Sequence, residues 1–293
     1  MVSTIRPSRG YRVFQGVNGV ILTLVVLITL YPFVNIVARS FSGEKEIRAG
    51  DVTLWPKGFN LTTYEIVFSD SMFWRNYGNT VLYTVVATAV AMVLTTCYAY
   101  VLSKHHLKGR GALVGIAVFT MFFTGGLIPN YVLITSLGLK NSVWAIALPN
   151  AISVFNLLVM KAFFESLPSE LEEAAQIDGL STYGILLRIV LPLSKAVVAT
   201  MVLFYSVSFW NSWFSAFLYM DRTELMPVTV YLRNLLAGAT GGTAAGAGTE
   251  NLSQVNANIQ AVTIVLTSLP ILCVYPFVQR YFVSGVMLGA VKG

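Results

Sequence analysis

The sequence predicts an all-α, polytopic membrane protein with six transmembrane helices, forming a single domain over residues 1–293. Three observations carry this. Hydrophobic residues make up 56% of the chain and charged ones 11%, against roughly 45–50% and about 25% in soluble domains. The apolar residues fall in charge-free blocks divided by charged loops, each block long enough to cross a hydrocarbon core about 30 Å thick. The blocks are apolar all round and lack the period-2 alternation that a closed β-barrel would need.

The first block, Val13 to Ala38, follows Arg6, Arg9 and Arg12 as a signal-peptide core would. It outruns the usual length of roughly 7–15 residues and has no small-residue cleavage site, so it is read as a retained span. The others are Asn76 to Leu102, Gly111 to Ile134, Ser142 to Met160, Ala196 to Tyr219 and Ile259 to Gln279; none of the six holds Asp, Glu, Lys, Arg or His. Positive loops stay cytoplasmic, which places both termini inside (N-in/C-in). The inner segments then carry 11 of the 19 basic residues and five acids, the outer ones eight of each. Two outer segments are long: Arg39 to Arg75, with Trp55-Pro56, and 220–258, whose run from Ala237 to Gly248 is rich in glycine and alanine and reads as flexible.

Composition also excludes functions. The net charge of +6 is spread by topology rather than gathered into a stripe, so no nucleic-acid partner is expected. Cys97 and Cys273 lie inside apolar blocks, where burial as small residues is expected in place of a disulfide. His105 and His106 are adjacent in a loop without neighbouring cysteine or acid, so no metal site is expected. No GxxxxGK[ST], HExxH or GxSxG run occurs, and the blocks lack the ionisable residues by which ion-coupled transporters work. A transporter built on these blocks would have to draw its energy from elsewhere.

The inner segment 161–195 reads as a short helix, a turn and a second helix. Pro168 suits a first turn, Ser166 or Ser169 can cap it, and Glu170, Glu172 and Glu173 favour its positive end. Leu171, Ala174, Ala175 and Asp178 share one face at helical spacing, with Glu172 and Glu173 pointing elsewhere. Gly179 can take φ > 0 and stop the helix; a second amphipathic piece, Tyr183 to Leu191, is expected to break at Pro192 before the fifth span.

The run Glu173-Ala174-Ala175-Gln176-Ile177-Asp178-Gly179, followed by Arg188-Ile189-Val190-Leu191-Pro192, resembles the EAA loop of ATP-binding-cassette importer permeases, with both halves at matching spacing. Leu180 stands where sugar permeases of the family usually carry alanine, and Leu186 where phenylalanine is common. Thr124 to Tyr131, Pro149 to Asn156 and the tail from Gln279 to Gly293 are similar to the carbohydrate-uptake branch, and the likeness spans nearly the whole chain. Within that branch it is to the second membrane subunit of oligosaccharide importers, including those for acidic glycans such as alginate. The resemblance implies a type I importer permease fold in a bacterial inner membrane. It also implies a homologous permease as partner, two ATPase subunits and an external solute-binding protein. ATP and Mg would bind the ATPases, with no cofactor on this chain. Glu173, Ala174, Ala175, Asp178, Gly179, Ile189 and Pro192 would then couple the ATPase to the membrane. An outer loop at the position of Gly241, Gly242 and Thr243 would touch the binding protein.

A carbohydrate path needs amides for hydroxyls and aromatic faces for sugar rings. Asn76, Asn79, Asn130, Asn156, Trp210, Asn211 and Trp213 are the candidates, with helix–helix hydrogen bonding and interfacial anchoring as the competing roles. A transporter or channel working without an ATPase is the alternative to the importer, and a membrane enzyme stands third.

Overall fold

The computed structural model describes residues 9–241, 258–273 and 276, and the regular structure among them is helical. In chain order the helices are α1 (Arg9–Ser40), α2 (Glu44–Arg48), α3 (Thr62–Ser69), α4 (Ser71–Ser103), α5 (Arg110–Phe122), α6 (Leu127–Ser136), α7 (Trp144–Ala147) and α8 (Val154–Glu165). There follow α9 (Ser169–Ile177), α10 (Thr182–Ile185), a π turn (Leu186–Val190), α11 (Leu191–Leu193), α12 (Lys195–Trp210), α13 (Trp213–Tyr219), α14 (Val228–Gly241) and α15 (Asn258–Cys273). They divide into two compact units, the described residues of 1–69 with those of 234–268, and the described residues of 70–233 with those from 269 onward.

In the first unit α1 presents apolar side chains on every side, from Val13 to Phe33, as a helix solvated by lipid does. Its end is fastened by polar contacts. The Asn35 amide donates to the carbonyls of Val52 and Thr53 at 3.0 and 2.7 Å, and Phe41 stacks on Phe59 and Tyr64. The Tyr64 hydroxyl donates to Ser40 Oγ at 3.0 Å, and Asn258 accepts from the Thr63 hydroxyl. Burial raises the Tyr64 phenol above its usual range, with the Ser40 bond opposing it.

The second unit is built on α4. Asp70 caps it, its carboxylate accepting from Met72 N at 2.8 Å. Ala87 and Ala91 are fully buried, as are Ala99 and Thr95, and these small residues let α8 and α12 approach the α4 backbone. Between apolar helices no water is released on packing, so van der Waals contact and hydrogen bonds hold them. The Tyr205 hydroxyl lies 2.6 Å from Thr95 Oγ1 and accepts from Ser153 N at 2.9 Å, joining α4, α8 and α12 at one atom. Tyr205→Phe is expected to cost about 1 kcal/mol, at roughly 0.6 kcal/mol per such bond, read as a lower thermal midpoint in detergent.

Several expected continuous spans are broken. The block from Gly111 to Ile134 is two helices, α5 and α6, meeting at 112°. Phe123 is extended and Gly126 has φ +85°, after which Pro129 stands in the first turn of α6. The block from Ser142 to Met160 holds α7 and α8, separated at Pro149, which has no N–H to continue a helix. The fifth block is interrupted at Asn211 and Ser212. The last helix begins one residue before the expected Ile259, and most of the expected span beyond Cys273 lies outside the described residues. The break expected at Pro192 falls instead at Ser194, where Thr182–Leu193 meets Lys195–Trp210 at 87°. A π turn precedes the proline, where a regular helix would set its ring against the carbonyl four residues back. Among the described residues, α1 and α4 are long and apolar enough to cross a membrane alone, and the two bent pairs pass as two more.

Candidate functional site

The loop from Lys161 to Lys195 is held in place at both ends of α9. Pro168 leads into the helix, and no side chain caps it: the Ser166 hydroxyl donates to the Phe163 carbonyl at 2.7 Å, so the expected serine cap is absent. Glu170 and Glu172 occupy the first turn, where the helix dipole favours them. At the other end Gly179 N donates to Gln176 O and Leu180 N to Ala175 O, both at 3.0 Å, a Schellman closure with Gly179 at φ +79°. Ser181 then caps α10, accepting from Gly184 N at 3.3 Å.

Of the face shared by Leu171, Ala174, Ala175 and Asp178, only Ala175 turns inward. Ala175 is buried with Tyr100, Phe164, Ile185, Leu186 and Val190, and Glu172 is largely buried beside it. Leu171, Ala174 and Asp178 are exposed, as is Glu173. Glu172 is drawn in by charge. It pairs with Lys104 and accepts from the Tyr100 hydroxyl at 3.4 Å, while Lys104 Nζ sits 4.1 Å from the centre of the Tyr100 ring. A second cluster fixes the base of the loop. Glu165 pairs with Arg110 and with Lys161, whose Nζ is 2.8 Å away, and Arg110 Nε donates to Leu102 O at 2.7 Å. Burial and the Arg110 charge hold the Lys161 ammonium below its usual range. His105 Nδ1 lies 3.3 Å from Arg110 Nη1, so this histidine belongs to the cluster.

Ile189 packs against the loop's core and Pro192 is exposed. The motif alone did not single out Ile177, Tyr183 and Leu187, which are 87%, 76% and 63% exposed. They are three large, mainly apolar side chains left exposed on a loop outside the charge-free blocks, the kind of surface that calls for a partner. The i, i+4 spacing of Tyr183 and Leu187 was the available signal.

The polar candidates for a path are scattered. Asn79 Nδ2 donates to Glu224 O and Met226 O at 2.7 and 3.3 Å, and Asn76, with its amide oriented to suit, donates to Thr223 O and Met226 O. Both staple α4 to the segment before α14. Asn211 donates to Val207 O at 2.8 Å at the end of α12, Asn156 is buried in α8, and Asn130 is exposed on α6. Trp210 stands edge-on to Tyr77 at 5.8 Å and lines a largely apolar groove of about 320 Å³ with Val81, Thr84, Ser206 and Ile271. Trp213 is partly exposed beside Phe214 and Phe217. Gly241 ends α14, the described part of the run expected to be flexible; Gly242 and Thr243 lie outside the described residues.

At this end of α4 a second set of charges closes the bundle. Lys140 pairs with Asp221 at 2.9 Å, Arg75 with Glu224 at 3.3 Å, and the Tyr231 hydroxyl donates to Asp70 at 2.6 Å. Asn141, at φ 59°, accepts from Asp221 N at 2.7 Å. The bond to Lys140 holds the Asp221 carboxyl below its usual range, and burial followed by Asp70 raises the Tyr231 phenol. Lys104 and Asn79 stand 25 residues apart on one helix, roughly 37 Å, so the loop cluster and this one lie at opposite ends of the unit.

Residues 108–288 match the family described as binding-protein-dependent transport system inner membrane component. The chain is 42% identical over 292 residues to Protein LplC of Bacillus subtilis (strain 168), covering all of this chain and 99% of that one. It is 40% identical over 286 residues to the polygalacturonan/rhamnogalacturonan transport system permease protein YtcP of the same organism, covering 96% and 99%. In three dimensions it is similar to a chain from a crystal structure of a bacterial ABC transporter involved in the import of the acidic polysaccharide alginate. That match has a TM-score of 0.84 and 32% identity, over 95% of this chain and all of that one.

Proposed function

The chain belongs to the binding-protein-dependent transport system inner membrane components, the permease subunits of ABC sugar and oligosaccharide importers, and on that premise we propose which partners it takes and what it carries. It pairs with a homologous permease to enclose the path, receives an oligosaccharide from a binding protein, and is driven by two ATPase subunits, one of them docked on its 161–195 loop. The cargo is an acidic oligosaccharide, the reading favoured by the polygalacturonan and rhamnogalacturonan for which YtcP is named and by the alginate that the structural neighbour imports. Closure of the ATPases on ATP turns the path from inward- to outward-facing.

One observation carries the coupling role: Ile177, Tyr183 and Leu187 are exposed on a loop whose other face is locked to α4 through Glu172 and Ala175. Such a loop is fixed on one side and adhesive on the other. The test is reconstitution. Uptake in proteoliposomes should require all partners and ATP; uptake by this chain alone would favour the ATPase-independent alternative.

Six spans with both termini inside complete the proposal. In a variant lacking Cys97 and Cys273, a cysteine at Lys108 or Ser181 is expected to react with an impermeant maleimide only from the cytoplasm, and one at Lys57 only from outside. External labelling at Ser181 would overturn both the orientation and the docking of the ATPase.

A further inference from the structure

From its surroundings we infer that Arg233 is a carboxylate-reading residue on the outer part of the sugar path, with Trp213 and Phe217 as its platform; the inference rests on the acidic-oligosaccharide reading above. The Arg233 guanidinium carbon lies 4.5 Å from the centre of the Trp213 ring and 5.1 Å from that of Phe217. Trp213 and Phe217 stand one turn apart on α13, their rings 6.3 Å from each other, and both are partly exposed. At the same end of the unit Arg75 and Lys140 are each matched to an acid, Glu224 and Asp221. Arg233 has no acid partner among the described residues, and its side chain is exposed.

Two chemical consequences follow. A guanidinium over aromatic rings keeps its charge and its fork of N–H donors, because the ring face takes none of the hydrogen bonds. That fork matches a carboxylate in bidentate geometry, while the indole and phenyl surface that the guanidinium leaves uncovered offers an apolar contact to the C–H face of a pyranose. A uronate supplies both groups on one residue, and a neutral sugar supplies only the second. A phospholipid headgroup would supply an anion without the ring.

The experiment is ATP-driven uptake by the full complex, with saturating binding protein, of oligogalacturonate and of its methyl ester, which removes the charge at nearly constant size. Arg233→Gln is expected to lower the acid-to-ester uptake ratio roughly tenfold, and Arg233→Lys, which keeps a cation without the fork, to lower it less. Where only the acid is carried, its KM is the reading and should rise by the same factor. A wild-type complex that moves neither compound, nor oligoalginate offered in the same assay, overturns the acidic-glycan reading and this inference with it. A wild-type complex that moves the acid, with ratio and KM unchanged in Arg233→Gln, overturns the carboxylate site alone. Equal loss on both compounds that tracks the phosphatidylglycerol content of the vesicles assigns Arg233 to a lipid phosphate and overturns it too.

Discussion

Gly179→Val is expected to insert and assemble with the partner permease yet lose at least about tenfold in ATP-driven uptake. Gly179 has φ +79° with nothing within 4 Å of an added Cβ, so the cost is in the backbone and not in a clash. A side chain in that region costs roughly 1–2 kcal/mol and a β-branched one more, and each 1.4 kcal/mol is about tenfold in population. What the strain opens is the pair of bonds from Gly179 N and Leu180 N that sets α10 against α9. Asparagine tolerates the left-handed region, so Gly179→Asn should keep most of the activity. Copurification of the ATPase and sugar uptake would be measured separately. Wild-type uptake in the valine variant would remove this turn from the coupling path.

Reversing Glu172 to lysine is expected to act more strongly. The carboxylate is the side-chain tie between α9 and α4, and it and Lys104 are only 16% and 22% exposed. Removing one partner of a buried pair costs about 3–5 kcal/mol; the remaining exposure lowers this to roughly 2–3, and a second ammonium against Lys104 adds repulsion. The loop should detach from α4, and stimulation of ATP hydrolysis by liganded binding protein should disappear. The exchange Lys104→Glu with Glu172→Lys restores the attraction and should recover a substantial part of that stimulation. Failure of the exchange together with normal stimulation in the single variant would show that α9 is held by Ala175 and its apolar neighbours alone.

The charge-free blocks located the apolar helices among the described residues because hydropathy integrates over a whole turn of helix, and they missed the breaks for the same reason. Gly125-Gly126 and Pro149 were visible as local signals inside blocks whose composition does not change across them. The loop of residues 161–195 was legible down to its turn glycine, since φ > 0 selects the residue directly. Its inward face was not. On a nine-residue helix with adjacent alanines the apolar direction is weak, and the deciding partner of Glu172 lies 68 residues away on α4. Asn76 and Asn79 look identical in sequence to residues that could bind hydroxyls; only the carbonyls of residues 223–226 reveal that their amides are engaged at home.

α4 has a mechanical consequence. It is an unbroken rod of 33 residues, about 50 Å long, flanked by helix pairs that turn through 112° and 87°. Rods tilt where elbows flex. A tilt of about 4° around its midpoint carries each tip roughly 2 Å, in opposite senses. Lys104 adjoins one tip and Asn79 lies near the other, so under the proposed docking a shove delivered through Glu172 would reach the Glu224 segment reversed in direction. Under the proposed coupling, a seesaw of this kind would widen one mouth of the path while narrowing the other.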